Sequence, residues 1–185
     1  MKKYKYDVLI VGGFGHIGLP LGILFSEKGL KTCLYDIDKN TFKIIKKGKM
    51  PFTEYGAEEL LKKNLSNGNL KLSLDINAIK ESKNIIITIG TPVDEYLNPK
   101  TKQFVDLFKK IIPYLNNSQN IIIRSSVFPD TCKRIFELLK NKKFKLSYCP
   151  ERIVQGYGIE ELQKLPQIVS GFSKNAILES SLLFK

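Results

Sequence analysis

The run Gly13-Phe14-Gly15-His16-Ile17-Gly18 spaces three glycines as G-x-G-x-x-G, directly behind the apolar segment DVLIV at 7–11 and ahead of a helix-like stretch at 17–28. A diphosphate calls for that arrangement where a strand turns into a helix. Gly13 is read as permitting the tight turn, Gly15 as letting a pyrophosphate reach the backbone, and Gly18 as letting the helix lie close on its sheet. The free amides and positive dipole end of the helix from Ile17 onward would hold the anion. Asp36, in YDID at the end of the second apolar run, follows the glycines by about twenty residues, where a carboxylate accepts both hydroxyls of an adenosine ribose. A 2′-phosphate would meet that charge, so the cofactor expected is NAD, with NADP left open by Lys39 nearby. His16, the single histidine, lies inside the fingerprint and over the phosphates, which suits a phosphate-side contact and not a catalytic base.

Ligands of parallel sheets sit beyond the carboxyl ends of the strands, so the residues that follow each apolar run carry information. Gly90-Thr91-Pro92-Val93-Asp94-Glu95 follows one run and Ser125-Ser126-Val127-Phe128-Pro129-Asp130-Thr131 another. Both set small hydroxyl residues and a proline where a ribose and nicotinamide would cross the sheet. Each is also what an ordinary turn looks like, with Asp130 or Thr131 as the cap of the next helix. A third stretch, Cys149-Pro150-Glu151-Arg152-Ile153-Val154-Gln155-Gly156, brings a carboxylate and a guanidinium into one loop, a pairing suited to a phosphorylated or diphosphate substrate.

The elements that must position these residues follow from the hydrophobic pattern. Candidate strands are 7–11, 31–36, 70–74, 84–90, 120–126 and 144–149, and candidate helices are 17–28, 39–47, 56–65, 101–115 and 130–141. Strands that are apolar almost throughout must be covered on both faces, which intervening helices achieve when the strands run parallel. The expectation is a doubly wound, mostly parallel α/β sheet. From Pro150 the texture changes to a loop, a short PQIVSG strand candidate and a last helix-like segment, SKNAILESSLLFK.

With 185 residues, 43% of them hydrophobic, the chain is long enough for one sizeable core. It has no run of roughly 18 apolar residues and no signal-peptide core after MKKYKYD, so a cytoplasmic protein without a membrane partner is expected. The net charge of +12 is spread through groups such as KIIKKGK and LKNKKFK between apolar residues, which reads as solvated helix faces and not a nucleic-acid surface. Cys33, Cys132 and Cys149 have neither CxxC spacing nor partner histidines, so no metal site and no disulfide framework is expected.

Taken in order, the glycine fingerprint with GLPLG, then GTPVDEYLNP, RSSVFPDT and YCPERIVQG…LPQIVSG, resemble the amino-terminal half of the UDP-glucose/GDP-mannose dehydrogenase family over essentially all 185 residues. The CPER form is most similar to the branch acting on UDP-N-acetylhexosamines such as UDP-N-acetylmannosamine. The resemblance implies a Rossmann-type NAD-binding domain over 1–172, with 173–185 starting a linking and dimerising helix of a homodimer. It implies oxidation of the C6 alcohol of a UDP-sugar to the carboxylate, for surface polysaccharide biosynthesis, in two NAD-dependent hydride transfers through a thiohemiacetal and a thioester on a cysteine. In these terms His16 and Ile17 contact the NAD phosphates, Asp36 holds the ribose, and Thr91 and Ser126 line the nicotinamide side. Glu151 serves hydrolysis of the thioester and is grouped with Ser126 as catalytic, while Arg152 and Ile153 touch the sugar nucleotide.

Three positions depart from the family pattern: Ser126 stands for threonine, Asp130 for the glycine of P-G-T, and Gln155 for the second glutamate of the UDP-glucose branch. The nucleophilic cysteine, its supporting lysine and asparagine and the uridine-binding domain are expected beyond residue 185, and Cys149 is expected to be a small buried residue. A catalytically incomplete NAD-binding module is the alternative reading.

Overall fold

The computed structural model describes residues 4–91, 95, 101–140 and 143–185. Its frame is one seven-stranded sheet. In chain order the strands are β1 (Tyr6–Val11), β2 (Thr32–Tyr35), β3 (Leu70–Ser73), β4 (Ser82–Ile87), β5 (Asn120–Ile123), β6 (Lys145–Tyr148) and β7 (Ser170–Gly171). The helices are α1 (Gly18–Glu27), α2 (Lys39–Lys46), α3 (Ala57–Ser66), α4 (Thr101–Ile111), α5 (Thr131–Leu139), α6 (Gly158–Lys164) and α7 (Lys174–Leu183). Spatial order runs β3-β2-β1-β4-β5-β6-β7, parallel except for β7, which pairs antiparallel with β6. The chain winds outward from β1 to β3 and then returns to lay β4 on the other side of β1. That reversal opens a crevice between the carboxyl ends of β1 and β4, where such sheets bind ligands.

Period-two alternation explains why the strands are apolar on both faces. Val8, Ile10, Leu34, Ile86 and Ile122 point into one core with α1 and α3, through Leu19, Ile23 and Leu61. Leu9, Val11, Cys33, Ile85, Ile87, Ile121 and Ile123 point into the other, with Phe104 and Phe108 of α4 and Ile135 and Leu139 of α5. Truncating one of these isoleucines to alanine would cost about 2–5 kcal/mol, so the strand ends are held on a stiff base.

Differences from the sequence pattern have local causes. The helix expected over 101–115 is α-helical only to Ile111, because Pro113 forces the last turn into a 3-10 form at Ile112–Tyr114. A further 3-10 turn at Ile76–Glu81, started by Asp75 accepting the amide of Asn77, leads into β4. The tail carries the short helix α6 as well as β7. The terminal helix α7 lies on this sheet: buried Ser180 meets Ser147 of β6 at 2.6 Å and accepts from Asn120 of β5 at 3.3 Å. Ile177, Leu178 and Leu182 of α7 remain exposed, while Leu183 and Phe184 are half-buried against the core. Among the described residues no helix is long and apolar enough to cross a membrane.

Candidate functional site

The glycine loop is pinned from both sides. Its Gly12 and Gly13 amides donate to the Tyr35 carbonyl, each at 3.0 Å, and Thr88 Oγ1 donates to the carbonyls of Val11 (3.0 Å) and Gly12 (3.2 Å). The left-handed turn falls on Gly12, with φ of 82°, one residue before the position expected for it. Gly13 is needed for space instead: a β-carbon there would lie 2.8 Å from Leu34 Cβ and 2.9 Å from the Ile10 carbonyl oxygen. At Gly18 a β-carbon would run into the Gly12 carbonyl and lie 2.8 Å from Gly13 Cα, so this glycine sets how closely α1 approaches β1.

Gly15 differs, because it is exposed and its β-carbon would meet only the Gly12 oxygen, at 3.5 Å. Protein packing does not require a glycine there, but a ligand lying against the loop would. The residue opening α1, Ile17, supplies no side-chain cap. The amides of His16, Ile17 and Gly18 take no acceptor among the described residues. Orphan amides at a helix N-terminus beside an open glycine are an arrangement that can cradle a diphosphate.

Asp36 closes the loop from β2. Its Oδ2 accepts the Phe14 amide at 3.2 Å, and its Oδ1 accepts the amides of Ile37 (2.7 Å) and Asp38 (3.3 Å). The carboxylate is half-buried and keeps acceptor capacity for a ribose hydroxyl. Asp38 caps α2 through the amides of Asn40 and Thr41 and the Thr41 hydroxyl, and these bonds hold its carboxyl below the usual range. His16 is exposed and stacks on Phe52, with ring centroids 4.0 Å apart.

Beyond β4 and β5 the loops are tied together. Thr91 Oγ1 donates to the Ser126 carbonyl at 2.6 Å, and Ser125 Oγ donates to the Ile89 carbonyl at 2.6 Å. Thr91 and Ser126 therefore sit side by side at the carboxyl edge, both exposed. Pro92, Val93, Asp94 and residues 96–100 of the GTPVDEYLNP stretch lie outside the described residues. Asp130 does not cap α5 through its side chain; it adopts the left-handed conformation, φ 65°, that a glycine at this position takes without strain.

The third loop is organised by Arg124, which directly follows β5 and is 2% exposed. Its guanidinium pairs with Glu151, donates to Gln167 Oε1 at 2.5 Å and to the Cys149 carbonyl at 3.4 Å, and lies 4.9 Å from the centroid of the Phe184 ring. Burial pulls this guanidinium below its ordinary value, and Glu151 pulls it back. Glu151 Oε1 accepts the amides of Arg152 (2.7 Å) and Ile153 (3.2 Å), so both carboxylate oxygens are engaged. The Arg152 guanidinium donates to the Pro166 carbonyl. A cavity of about 450 Å³ lies beside this cluster, between Leu21, Leu24 and Phe25 of α1 and Phe184 after α7. Cys149 is fully buried, and burial pushes its thiol up to about 11 against the weaker pull of Ser147 and Arg124.

Sequence reasoning thus placed the glycine loop, Asp36, Thr91, Ser126 and the 151–153 loop at one edge of the sheet. It passed over Thr88, Phe52 and Arg124. Arg124 carried a signal, as a charged residue closing the run NIII, where only a buried partner makes it tolerable.

The sequence pattern of the UDP-glucose/GDP-mannose dehydrogenase family, NAD binding domain, matches residues 7–182. UDP-N-acetyl-D-mannosamine dehydrogenase of Methanococcus maripaludis is 28% identical over 192 aligned residues, covering 100% of this chain and 44% of that protein. UDP-glucose 6-dehydrogenase of Rickettsia felis is 30% identical over 162, covering 86% and 36%. The solved structure of UDP-D-ManNAc dehydrogenase from Pyrococcus horikoshii superposes with a TM-score of 0.89 at 27% identity, over 96% of this chain and 44% of that one. The chain spans less than half the length of these relatives.

Proposed function

Because the chain belongs to the UDP-glucose/GDP-mannose dehydrogenase family through its NAD binding domain, we propose that it supplies the cofactor half of an enzyme oxidising the C6 alcohol of a UDP-sugar, of the N-acetylhexosamine class, to the uronic acid. The observation that carries this reading is the open Gly15 beside three unclaimed amides at the start of α1, with Asp36 facing them from β2. The names of the mannosamine dehydrogenases among the relatives, and Gln155 in place of a second glutamate, favour the N-acetylhexosamine class.

In this reading the amides of His16, Ile17 and Gly18 bind the diphosphate, and Asp36 accepts from the adenosine ribose. Thr91 and Ser126 orient the nicotinamide end, Ser126 with its exposed hydroxyl. When bound, NAD supplies the hydride acceptor. Arg152 and Ile153 face the sugar nucleotide. Glu151 is held by a buried guanidinium and two amides, which fixes its orientation and fits it to position the water that hydrolyses a thioester. The reaction also needs an activated thiol. Cys33 and Cys149 are fully buried and Cys132 is half-buried, and burial pushes all three thiols up, which does not suit them to the role of activated nucleophile. The same observation favours a second reading, in which these 185 residues bind NAD without turnover on their own.

The test is amide chemical-shift mapping of the chain with NAD. His16, Ile17 and Gly18 should shift on binding, together with Asp36. Saturable binding that leaves those amides unmoved would remove the diphosphate from the glycine loop.

A further inference from the structure

Residues 47–56 connect α2 to α3, and their contacts carry them from the glycine loop across to the segment after β6. Phe52 stacks on His16. The Tyr55 amide donates to the Gly156 carbonyl at 3.0 Å, and the Tyr55 ring lies 5.2 Å from that of Tyr157. Between them Glu54 turns inward and is 7% exposed. Its Oε1 accepts the Ile159 amide at 3.0 Å, a bond spanning 105 residues. Its Oε2 is buried with no hydrogen-bond partner, and no cation pairs with it among the described residues.

A buried carboxyl oxygen without a partner is costly, and an apolar side chain of the same length would leave none there. What Glu54 gains is placement. Gly158 is wedged beside it, so that a β-carbon there would stand 3.4 Å from Glu54 Oε1, 2.9 Å from Ile153 Cδ1 and 3.4 Å from Pro20 Cβ in α1. The Glu54–Ile159 bond therefore pins the turn into α6 against the start of α1 and presses it on Ile153. Ile153 in turn follows Arg152, the pair read above as facing the sugar nucleotide.

We propose that Glu54 is a positioning residue for the sugar-nucleotide loop, acting through Ile159 and Gly158 on Arg152 and Ile153. The inference rests on the proposed role of that loop. It predicts that losing Glu54 weakens the sugar more than the cofactor, because Tyr35, Thr88 and Asp36 hold the glycine loop from the sheet even if the Phe52–His16 stack loosens.

The experiment uses the longest chain encoded with these residues, with UDP-N-acetylmannosamine and NAD as probes. Glu54→Met should raise KM for the sugar nucleotide about tenfold, the scale of one lost buried hydrogen bond, with kcat and the NAD KM within about threefold. Glu54→Gln, which still accepts the Ile159 amide, should return the sugar KM to within about threefold. Gly158→Ala, which pushes on Ile153 from the other side, should show the same split and serves if Glu54→Met does not fold. Equal changes in both KM values would mean a merely structural role and overturn the inference. Arg152→Ala separates the two levels. If it raises the sugar KM while Glu54→Met and Gly158→Ala do not, Glu54 has no positioning role. If none of the three does, the loop does not face the sugar.

Discussion

Replacing Asp36 with alanine removes four interactions at once if the carboxylate also accepts a ribose hydroxyl. Three are visible in the free protein: the amides of Phe14, Ile37 and Asp38, at 3.2, 2.7 and 3.3 Å. These bonds lie at a half-exposed position, so water can replace part of each, and the loss of fold stability should stay near 1–2 kcal/mol. The fourth is a charge-assisted bond to the ligand, typically about 1.5–3 kcal/mol, so NAD affinity should fall roughly 10- to 150-fold. For NADP the sign differs. Removing the carboxylate relieves its repulsion of the 2′-phosphate, so NADP affinity should fall less than that of NAD, or rise, and the preference should narrow. The assay is calorimetric titration of the 185-residue chain and its Asp36→Ala variant with both cofactors at one ionic strength. NADP binding equal to or tighter than NAD in the unmodified chain would refute the reasoning, as would a variant that binds NAD within about twofold of the original.

Gly15→Ala should leave the melting temperature nearly unchanged, since its β-carbon meets only the Gly12 oxygen at 3.5 Å, yet NAD affinity should drop at least about tenfold; Gly18→Ala should lower both, and calorimetry with thermal unfolding separates them. In the longest encoded chain, Glu151→Gln should slow product release and leave a thioester detectable by mass spectrometry. Arg124→Met should give the same accumulation together with a stability loss of about 3–5 kcal/mol from the unpaired Glu151, and normal product release in both would leave the pair a structural role only. Burial raises the Cys33 thiol to about 12 and Cys149 to about 11, both from 9.0, so the folded state binds their protons more tightly than the unfolded state. Their contribution is complete below about pH 9 and is lost as pH rises through 11–12, so denaturant midpoints should fall steeply above pH 9 and less so in Cys33→Ala.

The parallel core was legible because its signal is local and repeated: NIII and DVLIV are apolar on both faces, and only a doubly covered strand tolerates that. The glycine loop was legible for the same reason, with strand, glycines, helix and acid in register. Its detail was not. That Gly12 and not Gly13 turns left-handed depends on Tyr35 accepting two amides across the sheet, a contact the spacing does not encode. Asp130 is the converse case: the departure from a P-G-T glycine was visible in the sequence, and the structure shows its consequence as φ 65°. Helix α6 was missed because GIEELQK is two turns long, held by the Glu54 carboxylate and α1 more than by its own pattern. Arg124 and Glu54 owe their roles to partners 27 and 105 residues away, and such buried polar pairings leave little trace in periodicity.

The claim that the chain forms the cofactor half of an enzyme oxidising UDP-N-acetylhexosamines at C6 is tested most directly by counting NADH. The longest chain encoded with these residues would be supplied with NAD and, in turn, UDP-N-acetylmannosamine, UDP-N-acetylglucosamine, UDP-glucose and GDP-mannose. The account predicts two NADH per sugar consumed, a uronic acid as product and preference for one of the two N-acetylhexosamines, with the 185-residue chain binding NAD but producing no NADH. Turnover by the 185 residues alone that disappears in Cys149→Ser, one NADH per sugar, or a preference for GDP-mannose would contradict it.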